Sequence, residues 1–268
     1  MFYNAKNGTI KIGKTDMDFI SFGRGDRDLI IIPGLGDGLK TVKGTAAAIA
    51  VMYKCFANDY KVFVFSRKNH LETGYSTREM ATDLKMAMDK LGIPQADFIG
   101  VSLGGMIAQY IAIDYPEHVG KLVLAVTLSK QNKTVQKAVC NWIKMAESNN
   151  YKNIIIDTSE KLYTEKRLRK YRLFYPILSR IGKPKDFKRF IIQANACINH
   201  NAYDELEKIK SPTLVIGVYN DKVVGVNTSE EIAAKIENSK LIIYSLFGHG
   251  VYEEAKDFNS QILDFLSE

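Results

Sequence analysis

Asp97-Phe98-Ile99-Gly100-Val101-Ser102-Leu103-Gly104-Gly105-Met106 joins an apolar, β-rich run to a serine pinched between glycines, and a helical pattern starts directly after it. Gly100, Ser102 and Gly104 make G-x-S-x-G, the pattern of a sharp strand-to-helix turn that exposes a serine hydroxyl at a strand tip. Glycine is expected at both flanks because a β-carbon there would crowd the reversal. The hydroxyl would stand over a helix N-terminus, whose free N–H groups can stabilise a developing oxyanion. Three fixed positions arise by chance in roughly one chain in ten of this size. The signal therefore lies in the context, with a strand before the serine and a helix after it.

Strand and helix patterns alternate on both sides of this turn. Residues 9–12 and 18–22 alternate and predict an antiparallel hairpin. Leu29-Ile30-Ile31-Ile32 is a continuous apolar run, as in a strand covered on both faces. The loop Pro33-Gly34-Leu35-Gly36-Asp37-Gly38 follows, then a helix over 42–53 and a strand over 61–65. Ser76-Thr77-Arg78-Glu79 predicts a capped helix running to Leu91. After the serine come a helix over 103–115 and a strand over 121–126. The rhythm stops at 130–206, where spacing is helical, charge is heavy and aromatics are many; only Ile154-Ile155-Ile156 is ambiguous. It resumes with a strand at 212–217, a helix at 229–236, a strand at 241–244 and a helix at 252–266. This alternation predicts an α/β fold with a mostly parallel central sheet flanked by helices. Residues 1–129 and 207–268 would form the core, and 130–206 a helical insertion between core strands.

The chain has 268 residues, 46% of them hydrophobic, enough for a sizeable core. No apolar run approaches the ~18 residues needed to span a bilayer. Residues 1–8 lack an apolar signal segment, so no leader is expected. Cys55, Cys140 and Cys197 are odd in number and far apart. That argues against a disulfide framework or zinc site and for a reducing, cytoplasmic location. His70, His118, His200 and His249 are scattered with no H-E-x-x-H, so neither metal nor cofactor is expected. The net charge of +7 is uneven: residues 161–190 alone carry +9, with only Glu165 and Asp186 as acids, and the rest sums to −2.

A serine hydroxyl needs a base, usually an oriented histidine. His249, in Phe247-Gly248-His249-Gly250, follows the last strand at the sheet edge where Ser102 belongs, and its flanking glycines predict a tight loop. The third member should be a carboxylate that fixes the imidazole tautomer. Asp221 follows the strand at 212–217, whereas the stretch after the strand at 121–126 offers no acid. Backbone N–H groups of Leu35 and Leu103 are the candidate oxyanion donors. A dinucleotide loop is excluded at Gly34-x-Gly36-x-Gly38, since G-x-G-x-x-G needs glycine at Leu39; no P-loop occurs. His70 reads as a solvated loop residue, with a pocket border as the other reading. His118 and His200 read as surface or packing residues, Asp37 and Asp83 as ordinary loop and helix residues, and the cysteines as structural.

Ser102, Asp221 and His249, in that chain order and with the Pro33–Gly38 loop, resemble the α/β-hydrolase family over nearly the whole chain. The resemblance is to small cytoplasmic members with a helical cap: carboxylesterases, enol-lactonases, perhydrolase-like enzymes and carbon–carbon bond hydrolases. It implies the α/β-hydrolase fold, with 130–206 as a cap over the active-site mouth. The chain departs from many members in having Pro33-Gly34 where they carry His-Gly. It also reads Arg67-Lys68-Asn69-His70 where they carry Gly-His-Gly-x-Ser. Serine at position 102 argues against the haloalkane-dehalogenase branch, which uses aspartate there.

The expected activity is acyl-transfer hydrolysis of an ester-like bond in a small molecule, through a Ser-His-Asp triad and an acyl-enzyme. A small-molecule receptor on the same fold, with slow or incidental turnover, stays open as the alternative. The basic segment leaves three readings: a solvated face, a device that draws anionic substrates, or a membrane-surface contact. Nucleic acid is not expected, because no recognition motif accompanies the charge.

Overall fold

The computed structural model describes residues 3–268. Its strands are β1 (Lys6–Ile12), β2 (Thr15–Gly23), β3 (Arg27–Ile32), β4 (Tyr60–Lys68), β5 (Ala96–Val101), β6 (Val119–Ala125), β7 (Thr213–Val218) and β8 (Ser239–Tyr244). Among the described residues these eight form one sheet in the order β1-β2-β4-β3-β5-β6-β7-β8. β1 and β2 are the expected hairpin, and β2 runs antiparallel to β4. From β4 to β8 every neighbouring pair is parallel. β5 and β7 are buried along their whole length, because helices cover both faces of the parallel region.

The helices before the insertion are α1 (Ala46–Met52), α2 (Thr77–Leu91) and α3 (Leu103–Asp114). α2 begins where its capping box places it: the Ser76 hydroxyl accepts from Glu79 N at 3.2 Å, and Ser76 N donates to Glu79 Oε2 at 2.8 Å. It ends on Gly92, at φ 67°, a left-handed position that suits glycine. α3 is buried from Leu103 through Ile113. Ile30, Phe98 and Leu122 pack with α2 and α3 on one face of the sheet. Leu29, Ile31, Ile99 and Val123 pack with α1 and the C-terminal helix on the other.

Between β6 and β7 lie α4 (Lys133–Glu147), α5 (Tyr151–Leu162), α6 (Glu165–Leu178) and α7 (Lys188–Ile198). Ile154-Ile155-Ile156 falls inside α5, where Asn150 caps the helix by accepting from Asn153 N. After β7 come α8 (Thr228–Lys235), α9 (Val251–Glu254) and α10 (Phe258–Ser267). The single helix expected over 252–266 is thus two. Ala255 is extended at the break, and Glu253 and Glu254 turn their carboxylates onto the α5–α6 junction. Among the described residues no helix is long and apolar enough to cross a membrane.

His200 is a packing residue. Its Nδ1 lies 2.9 Å from Thr77 Oγ1 and its Nε2 3.2 Å from Gln109 Oε1. Gln109 Nε2 donates to Leu128 O, so its oxygen faces the ring. That assigns the proton to Nε2 and makes the Thr77 hydroxyl the donor to Nδ1. Burial holds the ring pKa down at about 3. The unfolded chain therefore binds a proton that the folded chain refuses between about pH 6.5 and 3. Stability should fall as pH drops through this window, by up to about 1.4 kcal/mol per pH unit from this group. His200→Gln should flatten that slope in urea titrations run across the window.

Candidate active site

Ser102 sits between β5 and α3 at φ 54°, ψ −118°, a left-handed conformation unusual for a residue with a side chain. The strand and helix around it impose this geometry. A Cβ on Gly104 would overlap the Ile32 carbonyl oxygen, and one on Gly100 would lie 2.6 Å from Gly104 O. The flanking glycines are there for close approach, as the sequence suggested.

The structure brings the three sequence-selected side chains together. Ser102 Oγ lies 3.1 Å from His249 Nε2, and His249 Nδ1 lies 2.8 Å from Asp221 Oδ2. Asp221 and His249 are both buried. Asp221 Oδ1 accepts from Val223 N at 2.8 Å and Val224 N at 2.9 Å, which fixes the carboxylate. A carboxylate acceptor at Nδ1 places the ring proton there and leaves Nε2 free to accept from the serine hydroxyl. This arrangement can remove a proton from Ser102 and hold the resulting imidazolium.

Leu103 opens α3 and Leu35 opens the short 3-10 turn Leu35–Gly38. The N–H of a first helical residue has no partner within its own helix. The two turns meet at the serine: a Cβ on Gly34 would stand 3.9 Å from Ser102 Oγ. Gly34, the residue before Leu35, thus lies beside the nucleophile, as Leu103 does by following it in the chain.

Asp37 is more than the ordinary loop residue it resembles in sequence. Buried in the 3-10 turn, its Oδ2 accepts from Arg67 N at 3.1 Å and Gln193 Nε2 at 3.3 Å, and pairs with Arg189. Burial would lift its pKa, but the Arg189 and Arg67 charges outweigh this and hold the carboxyl below its usual range. Arg67 Nη2 donates to Pro33 O. α7 is thereby fastened to the turn that carries Leu35. The partners lie 30 to 156 residues apart, so no local sequence pattern could reveal them.

The His249 loop is fastened to the insertion as well. Gly250 N donates to Leu162 O at 2.8 Å, and a Cβ on Gly248 would stand 2.6 Å from the same oxygen. Neither glycine has a positive φ. They admit the approach of α5, and the loop is tight as the sequence predicted, with Val251 N donating to Gly248 O at 3.0 Å across His249 and Gly250. Glu253 Oε2 accepts from Tyr163 Oη at 2.9 Å and Arg167 Nη2 at 2.8 Å. Glu254 accepts from Thr164 N and its hydroxyl.

A cavity of about 370 Å³ opens over Ser102 and His249. Trp142, Thr158 and Leu162 of the insertion wall one side, and Ile49, Met52 and Tyr53 another. Among the described residues no lysine or arginine lines it; its acids are Asp37, which is ion-paired, and Glu253. Burial raises the Glu253 pKa against the pull of Tyr163 and Arg167. His70 is exposed and lines a separate groove with Lys14, Lys40 and Lys188. His118 bonds the Pro94 carbonyl at the surface. Asp83 is bound to Tyr75 and Lys68. Among the described residues no three His, Cys, Asp or Glu side chains converge as a metal site.

A sequence profile described as "alpha/beta hydrolase fold" matches residues 29–256. The chain belongs to the alpha/beta hydrolase family. A putative carbamate hydrolase, RutD, of Stutzerimonas stutzeri is 26% identical over 259 residues, covering 90% of this chain and 91% of that protein. A 2-hydroxy-6-oxononadienedioate/2-hydroxy-6-oxononatrienedioate hydrolase of a Pseudomonas species is 25% identical over 256 residues, covering 91% and 89%. The enol-lactonase of Burkholderia xenovorans superposes with a TM-score of 0.81 at 17% identity, covering 97% of this chain and 100% of that one. That last likeness concerns the fold of this alpha/beta hydrolase.

Removing Arg189 should leave Asp37 buried with only the more distant Arg67 guanidinium, at 3.9 Å. Arg189→Met is expected to lower stability by about 3 kcal/mol in urea unfolding, as breaking a buried ion pair does. It should also reduce kcat more than it raises KM, because the loosened turn carries Leu35.

Proposed function

We propose that this chain is a serine hydrolase acting on an ester-like bond of an uncharged, largely apolar small molecule. The observation that carries the reading is the continuous hydrogen-bond path from Ser102 Oγ through His249 to Asp221. In the proposed cycle Ser102 Oγ attacks the substrate carbonyl carbon while His249 Nε2 takes the hydroxyl proton. Asp221 stabilises the imidazolium without taking its proton. The Leu35 and Leu103 N–H groups hold the tetrahedral oxyanion. As the intermediate collapses, His249 protonates the departing alcohol and Ser102 keeps the acyl group. His249 then removes a proton from water, which attacks the acyl carbon and frees Ser102 with a carboxylic acid as product.

The insertion over residues 130–206 acts in this reading as a cap, since Trp142, Thr158 and Leu162 wall the cavity. The absence of lysine and arginine from the lining favours a neutral substrate over an anionic one. Here the chain would part from the relative whose name specifies a dioate. A carbamate, as in the other relative's name, has the same carbonyl electrophile and fits the same cycle.

A fluorophosphonate probe should label the native protein, and labelling should vanish in Ser102→Ala and His249→Ala. Asp221→Asn should lower kcat by about a thousand-fold or more. A neutral p-nitrophenyl butyrate should be cleaved with a higher kcat/KM than an anionic hemisuccinate ester of the same phenol. Absence of labelling in the folded native protein would refute the hydrolase reading and favour a receptor. Preference for the anionic ester would refute the substrate class alone.

A further inference from the structure

We infer that the outward face of α6 is a docking surface for a membrane bearing anionic headgroups. α6 buries Leu168 and Tyr175, seven residues apart, against the rest of the insertion and turns its other side to solvent. That side carries large apolar residues. Leu173 is 77% exposed, Phe174 54%, Ile177 54%, and Ile181 in the turn beyond 65%. Leu173 and Ile177 stand four residues apart on one helix face, and Lys166 and Lys170 continue the same face toward the N-terminus. A clustered apolar face of this kind on a surface helix marks a site of association.

The surrounding charge selects the partner. Arg167 and Arg172 are paired with Glu253, Glu160 and Glu165. Lys166, Arg169, Lys170, Arg180, Lys183 and Lys185 are exposed and make no ion pair among the described residues. A second copy of the chain would bring two such basic rims together, which like-charge repulsion opposes. A protein partner that reads a helix receives its side chains in a groove, but it would also have to neutralise the whole rim. An anionic bilayer meets both demands: hydrocarbon takes the projecting Leu173, Phe174, Ile177 and Ile181, and headgroups take the lysines and arginines. No described helix can cross a membrane, so the association is peripheral. α6 packs on α5, whose Thr158 and Leu162 line the cavity, so docking places the bilayer one helix away from Ser102.

Co-sedimentation of the full chain with vesicles tests this. Binding is expected to phosphatidylcholine vesicles containing phosphatidylglycerol, to be much weaker to phosphatidylcholine alone, and to fall as salt rises. The double variant Leu173→Ser/Ile177→Ser should lower the partition coefficient about ten-fold or more. Lys166→Glu/Lys170→Glu should do the same. All four positions are exposed, and circular dichroism and fluorophosphonate labelling should match the native protein. Failure to bind either vesicle would overturn the inference, as would binding that both double variants leave unchanged. A native dimer that Leu173→Ser/Ile177→Ser converts to monomer in light scattering, without vesicle binding, would assign the face to a second copy instead.

Discussion

The reversal at Ser102 is the constraint on which the site depends. A non-glycine residue at φ 54° and ψ −118° carries about 1–3 kcal/mol of local strain and persists only where its surroundings over-determine it. Here they do. β5 is paired on both sides by β3 and β6, α3 is buried nearly all round, and Gly100 and Gly104 let the two elements close on each other without a β-carbon between them. With the serine so fixed, its hydroxyl, the Leu103 N–H and the mouth of the cavity have one relative placement. The Leu35 turn and the His249 loop must be brought to it.

Both are brought partly by the insertion. α7 reaches the Leu35 turn through Arg189 and Asp37, and α5 reaches the His249 loop through the Leu162 carbonyl. Glu253 and Glu254 add a second fastening through Tyr163, Thr164 and Arg167. The insertion therefore does more than wall the cavity: it is bound to the turn that carries Leu35 and to the loop that carries the histidine. A charge that is desolvated and paired in this way is a strong geometric restraint, because leaving either partner alone in the interior is expensive.

The sequence disclosed what depends on short-range pattern. The glycine-pinched serine, the Ser76–Glu79 capping box and the β/α alternation are local signals, and the structure follows them. The order of Ser102, Asp221 and His249 could be read because each follows a recognisable strand on the same edge of the sheet. Asp37 was read as a plain loop residue because its partners Arg67 and Arg189 are remote in sequence. Gly248 and Gly250 were read as marking a tight loop, which they form; that they also admit the close approach of Leu162, a contact between separate elements, had no local signal. Glu253 and Glu254, which end the short helix before the break at Ala255, likewise find their partners some ninety positions earlier.

The covalent fate of Ser102 is the most direct test of the account. A rapid-quench experiment with p-nitrophenyl butyrate, followed by intact mass and peptide mapping, would measure it. The account predicts a nitrophenolate burst approaching one equivalent, and a butyryl adduct confined to the peptide containing Ser102. It also predicts that Ser102→Ala loses both. Turnover that survives Ser102→Ala, or a burst with the adduct on another residue, would contradict it.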